Sequence, residues 1–256
     1  MAAFVEFIGV PGAGKSTVYR EVAARWRHED TWLPVEILLE AKPVLGSGVL
    51  GAVEKRFRSL SGRRLGIDRA ELRLASRRFV AEHPRFATAT WSAISSSFPA
   101  ARDDLQGEVR FELATFWFDL CGRIQLIQER EDCRICVMDE GLLHNNFLAS
   151  PQRPTEVAEA TTSVPAKPVA VVHCVAPADV VWARQLHRGR IPPTFRGVAL
   201  EDMPLTLNRS KQRAILICAH LVATGIPVLE IDSEDSPGDN ARRVLTFLDA
   251  VDAQRK

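Results

Sequence analysis

The residues of this chain whose types and spacing point to chemistry begin close to its start. Gly9 is followed, four residues on, by Gly14, Lys15 and Ser16, within Gly9-Val10-Pro11-Gly12-Ala13-Gly14-Lys15-Ser16-Thr17. That spacing, set between an apolar run and a helical pattern, is the signature of a phosphate-binding P-loop. Glycines let the backbone turn tightly and aim successive N–H groups at one anion, and the helix that starts there adds free N–H groups and its dipole. Gly12, Ala13, Gly14, Lys15, Ser16 and Thr17 are therefore expected to hold nucleotide phosphates. Lys15 would reach the β- and γ-phosphates, and the Ser16 hydroxyl would ligate a Mg²⁺ that bridges them.

Three further groups could complete such a site. The run Arg134-Ile135-Cys136-Val137-Met138 reads as a buried strand ending in Asp139-Glu140-Gly141. An acidic residue at a strand end is the expected second half of a Mg²⁺ site, so Asp139 is assigned to the metal, and Glu140 to a water ligand or to the role of base. A helix cap at the start of Leu142-Leu143-His144 is the plainer reading of this acidic pair, and it is compatible with either role. Val35-Glu36-Ile37-Leu38-Leu39 reads as another strand, with Glu40 at its C-terminal end, where ligands of open parallel sheets bind. Glu40 is a second candidate base, or a solvated loop carboxylate. Finally, Arg184, Arg188 and Arg190 precede Ile191-Pro192-Pro193-Thr194-Phe195-Arg196-Gly197, a charged flap over 184–197 that could follow a moving γ-phosphoryl group.

The elements that must position these residues follow from periodicity. Phe4-Val5-Glu6-Phe7-Ile8 is the strand before the glycine loop, and Val18, Val22 and Trp26 mark a helix from Lys15 to about His28. Residues 46–131 carry helical patterns and form a candidate substrate-covering region. Within it, Asp68 caps a helix that Pro84 ends. A long helix from about Arg102 places Leu113, Phe116, Trp117, Leu120, Ile124 and Ile127 in an apolar stripe read as core. Arg69, Arg73 and Arg77, with Lys55, Arg56, Arg58, Arg63, Arg64, Arg78 and Arg85, make this region basic: a solvated face, or a contribution to binding an anionic substrate. Val169 to Val175 is a clear buried strand in which His173 reads as a core histidine. Pro227 to Asp232 is a last strand, and a helix bearing Val244, Leu248 and Val251 closes the chain.

Composition narrows the class. At 256 residues with a net charge of +1, the chain suits one α/β domain over 1–256 and has no global attraction to nucleic acid or membrane. It has no apolar run of membrane-spanning length, and a cytoplasmic location is expected. Five cysteines agree with a reducing compartment; Cys133 and Cys136 form a C-x-x-C without a second ligand pair and are read as core thiols.

The glycine loop, Glu40 with Pro43 nearby, Asp139-Glu140 and the arginines 184–190 together resemble the P-loop kinases of the nucleoside and nucleotide kinase group, including thymidylate and deoxynucleoside kinases. The resemblance implies a five-stranded parallel sheet with the P-loop strand central, helices on both faces and an arginine-bearing lid. It also implies transfer of the ATP γ-phosphoryl group, with Mg²⁺, to a hydroxyl. Asp139-Glu140-Gly141 departs from the Asp-Arg or Glu-Arg of those kinases, and Ala41 follows Glu40 where they carry proline, so the acceptor stays open. The leading class is a small molecule: a nucleoside, nucleotide, sugar or antibiotic-like alcohol. A hydroxymethylated base in DNA, or another polynucleotide hydroxyl, is the second reading. A non-catalytic nucleotide switch is the third, although no guanine-specifying Asn-Lys-x-Asp occurs.

Overall fold

A five-stranded, all-parallel sheet organises the chain, with strands in the order β2-β3-β1-β4-β5. The computed structural model describes residues 3–40, 68–96, 103–130, 132–149, 153–189, 192–196 and 198–256. The strands are β1 (Ala3–Ile8), β2 (Trp32–Pro34), β3 (Ile135–Met138), β4 (Ala170–Val175) and β5 (Val228–Asp232). β1 is central because it is apolar enough to be covered on both faces: all six of its residues are buried. It pairs with β3 in the register Glu6↔Met138 and with β4 in the register Glu6↔Val171. The strand ends that follow Ile8 and Met138 therefore open at the same edge of the sheet.

Helices α1 (Lys15–Ala23), α2 (Val35–Leu38), α3 (Arg69–Glu82), α4 (Pro84–Ser96), α5 (Asp103–Glu129), α6 (Pro154–Ser163), α7 (Ala178–Arg188), α8 (Met203–Ala223) and α9 (Pro237–Arg255) surround it. Consecutive strand residues point to opposite faces. Phe7 meets the ring of Tyr19 on α1 edge-on, whereas Glu6 lies towards Cys218 on α8, so α1 and α8 cover opposite faces. Burying side chains such as Phe7, Ile8 and Leu33 contributes about 1.5–3 kcal/mol each.

Two boundaries differ from the sequence expectation. The first helix stops at Ala23 rather than near His28, because Trp26 turns back to donate its indole N–H to the carbonyl of Trp32. The second strand is Trp32–Pro34, not Val35–Leu39. Pro34 closes the short edge strand, and the apolar run after it winds into α2, burying Val35 and Leu38 three residues apart. A short apolar run fits a buried strand or a buried helix turn equally well.

The helical region is as expected where it is described. Asp68 accepts from the N–H of Ala70 at 2.8 Å as the cap of α3, and Pro84 opens α4 directly after α3 ends. α3 lies tightly on α5: a Cβ on Gly122 would sit 2.6 Å from the Leu72 carbonyl oxygen. Leu113, Trp117, Leu120, Ile124 and Ile127 form the buried stripe, but Phe116 does not; it is 41% exposed. Residues 46–67, including Lys55, Arg56, Arg58, Arg63 and Arg64, lie outside the described residues, as do Ala41 and Pro43. Cys136 is buried, whereas Cys133, in the turn before β3, is exposed and is not the core thiol expected. His173 is buried, with Nδ1 3.1 Å from the Glu230 carboxylate. Among the described residues no helix is long and apolar enough to cross a membrane.

Candidate active site

The glycine loop bends from β1 into α1 through backbone conformations that favour glycine, with φ of 98° at Gly12 and 90° at Gly14. Gly14 is the residue before the first turn of α1, so the free N–H groups of that turn face the loop's concave side. Gln185 on α7, itself buried, donates its amide to the carbonyl of Pro11 at 2.5 Å and ties α7 to the loop.

Lys15 is 4% exposed and curls back on its own loop, donating to the carbonyl oxygens of Gly9 at 2.8 Å and Val10 at 3.4 Å. Its Nζ stands 3.7 Å from Oε1 of Glu140. Burial pushes the Lys15 ammonium below its ordinary pKa and the Glu140 carboxyl above its own, and their mutual attraction opposes both shifts. The same Glu140 oxygen is 3.7 Å from Nε2 of His144. Burial, with the positive charges of Lys15 and Arg213, holds the His144 imidazole well below its usual pKa and therefore neutral at pH 7.

Two cavities meet at Ser16. The first, about 850 Å³, lies over the glycine loop between Glu140 and His144 on one side and Phe116 and Asp119 of α5 on another, with Arg188 at its rim. The second, about 680 Å³, runs from Ser16 along α1 and is lined by Tyr19, Arg20, Glu36, Glu40 and Asp139. Burial raises the Asp139 carboxyl, the nearby Glu36 raises it further, and Arg123 and Lys15 oppose them.

Lys15, Ser16, Asp139, Glu140 and Glu40 thus share one edge of the sheet, although Glu40 follows α2 rather than a strand. Glu36, the second residue of α2, receives the Tyr19 hydroxyl and stands close enough to Asp139 to act on it. Residues 142–145 form a turn, so Asp139 caps no helix there. Arg188 lines the first cavity. Arg184 is held elsewhere: its guanidinium donates to Ser233 Oγ at 2.8 Å and to the Ser233 carbonyl at 3.0 Å, beside Gly14. Arg190 and Gly197 lie outside the described residues. Beyond α7, Phe195 is fully buried and Arg196 pairs with Glu108 and Glu112 of α5 at 3.3 and 3.0 Å. Arg69, Arg73 and Arg77 are exposed on α3 and belong to neither lining.

Ser16 and Asp139 face one cavity with hard oxygen donors, which suits a Mg²⁺ that keeps most of its waters. Among the described residues no three His, Cys, Asp or Glu side chains converge as a dedicated metal cage. Sequence reasoning missed Glu36 and Arg123. A signal for Arg123 existed: Glu112, Phe116, Asp119 and Arg123 follow one another at helical steps, one line round α5 from its buried stripe. Compared with known proteins, the chain matches no family model and no curated protein.

Proposed function

We propose that the protein is an ATP- and Mg²⁺-dependent kinase that phosphorylates a hydroxyl of a small molecule, with 9–17 as its P-loop. The observation that carries this reading is the convergence of Lys15, at the start of α1, with Ser16, Asp139 and Glu140 from two adjacent strand ends. Phosphoryl transfer requires mainly positioning and charge neutralisation, and this set can supply both.

In this reading the backbone of Gly12 to Thr17 binds the phosphates, and Lys15 leaves its own loop carbonyls to neutralise the β- and γ-oxygens. Ser16 and Asp139 would hold Mg²⁺, which supplies further positive charge against those oxygens. The acceptor oxygen bonds to the γ-phosphorus as the bond to the β–γ bridging oxygen breaks, and ADP leaves. Glu140 takes the acceptor proton: it lines the cavity that contains Lys15, and burial has raised its basicity. Arg188 adds charge from the rim of the first cavity. The combined cavities suit a nucleotide with a small acceptor. The described arginines of α3 are exposed and line neither cavity, so they add nothing there to the binding of a polynucleotide.

ADP release would be measured with ATP and Mg²⁺ across nucleosides, nucleotides, sugars, aminoglycoside-like alcohols and hydroxymethylated DNA, with Lys15→Ala as control. Stimulation by one small-molecule class, abolished in the control, is expected. Stimulation by the DNA alone would transfer the reading to a polynucleotide kinase. ATP binding with no stimulation by any acceptor would overturn the kinase assignment.

A further inference from the structure

Glu6 is a carboxylic acid in the middle of the central strand, 0% exposed, paired through its backbone to strands on both sides. An apolar side chain would be buried there at far lower cost. Its surroundings show what the carboxyl does. Oε1 accepts the backbone N–H of His144 at 2.9 Å, and the N–H of Leu143 also points to the carboxyl. Among the described residues Oε2 has no hydrogen-bond partner, and it occupies the space beside Gly141: a Cβ at residue 141 would fall 1.6 Å from Oε2 and 2.5 Å from Cδ. The carboxyl therefore fills the room that the missing side chain of Gly141 leaves. It also grips the turn two residues further on.

We propose that Glu6 is a positioning residue, which locks the turn 139–144 onto the central strand and so sets Asp139, Glu140 and His144 against Lys15, with Gly141 as the partner it requires. The lock has two halves that depend on each other. Without the carboxyl, the N–H of His144 loses its acceptor; without glycine at 141, the carboxyl has no room. Asp139 and Glu140 precede the contact at Gly141, and His144 carries the N–H that is held, so the whole catalytic end of β3 hangs on this carboxyl. Because β1 also leads into the glycine loop, one strand carries the phosphate-binding loop at its end and the anchor of the opposing carboxylates at its middle. The catalytic consequence rests on the kinase reading; the lock itself does not.

The test compares two variants of similar length, Glu6→Gln, which retains an acceptor oxygen, and Glu6→Met, which does not. Thermal unfolding, amide exchange at residues 143 and 144, and ATP turnover are measured on the full chain. Displacement of catalytic groups by about 1 Å costs on the order of 100-fold in rate. Glu6→Met is therefore expected to lower kcat about 10- to 100-fold with the KM for ATP nearly unchanged, since the glycine loop is not touched, and to speed exchange at residue 144 about tenfold. Glu6→Gln is expected to keep most of kcat and protection. In a second arm, Gly141→Ala lowers the melting temperature and kcat, and adding Glu6→Ala, which removes the colliding oxygen and Cδ, restores part of the melting temperature. Wild-type exchange and kcat in Glu6→Met would overturn the proposal, as would additive losses in the Gly141→Ala, Glu6→Ala pair. If the wild-type protein turns over no ATP, the kinase reading falls, and exchange and the double variant still decide the lock.

Discussion

Replacing Glu6 by Gln should change how the protein's stability responds to pH more than it changes stability at any one pH. Burial pushes the Glu6 carboxyl from 4.5 to about 8, with Glu140 adding repulsion and the N–H groups of His144 and Leu143 pulling the other way. The groups facing it are Glu140 and His144 on the turn and Cys218 on α8. Between pH 4.5 and 8 the folded chain holds a proton on this carboxyl and the unfolded chain does not, so wild-type stability falls as pH rises through that window. Below 4.5 both states are protonated, and above 8 both are ionised, so the slope vanishes at each end. At about 1.4 kcal/mol per unit, the loss from pH 5 to pH 8 is on the order of 4 kcal/mol. Glutamine has no proton to lose there, and the other titrating groups are shared by both proteins and largely cancel. Urea unfolding at pH 5, 6, 7 and 8 should therefore show Glu6→Gln gaining on wild type by roughly that amount. A difference that stays constant across the four pH values would refute a carboxyl kept neutral by burial.

Other perturbations test separate parts of the site and fold. Asp139→Asn should weaken the Mg²⁺-dependent part of ATP binding at least about tenfold while leaving Mg²⁺-free binding unchanged, read by titration with and without the metal. With a thiol reagent at pH 8, the exposed Cys133 should react at once. The remaining four should stay silent until the chain is denatured, because they are buried and the thiols of Cys174 and Cys218 are pushed up to about 12. Gly122→Ala should lower stability by about 1–3 kcal/mol, since its Cβ would lie 2.4 Å from Ser76 Oγ and 2.6 Å from the Leu72 carbonyl. An unchanged melting temperature would disprove the close approach of α3 to α5.

Where a local pattern has one physical solution, it was legible without coordinates. The glycine spacing of 9–16 between an apolar run and a helix, the apolar run ending at Asp139, and the stripe Leu113, Trp117, Leu120, Ile124 and Ile127 each follow from chain geometry over a few residues. Patterns with two solutions were decided by neighbours distant in sequence. Val35 to Leu39 satisfies a buried strand or a helix turn, and pairing of Trp32–Pro34 with β3 selected the helix, which put Glu36 rather than Glu40 beside Asp139. Phe116 is apolar at a helical step, yet the direction in which α5 crosses the cavity leaves it facing open space. Glu6 was visible as an acid within an apolar strand. That its carboxyl meets Gly141 and the His144 N–H depends on two segments 138 residues apart. Periodicity encodes which residues must leave water, because that requirement is local. Which carboxylates meet, and which of them lose their charge, is set by distances and burial that exist only after the strands have assembled.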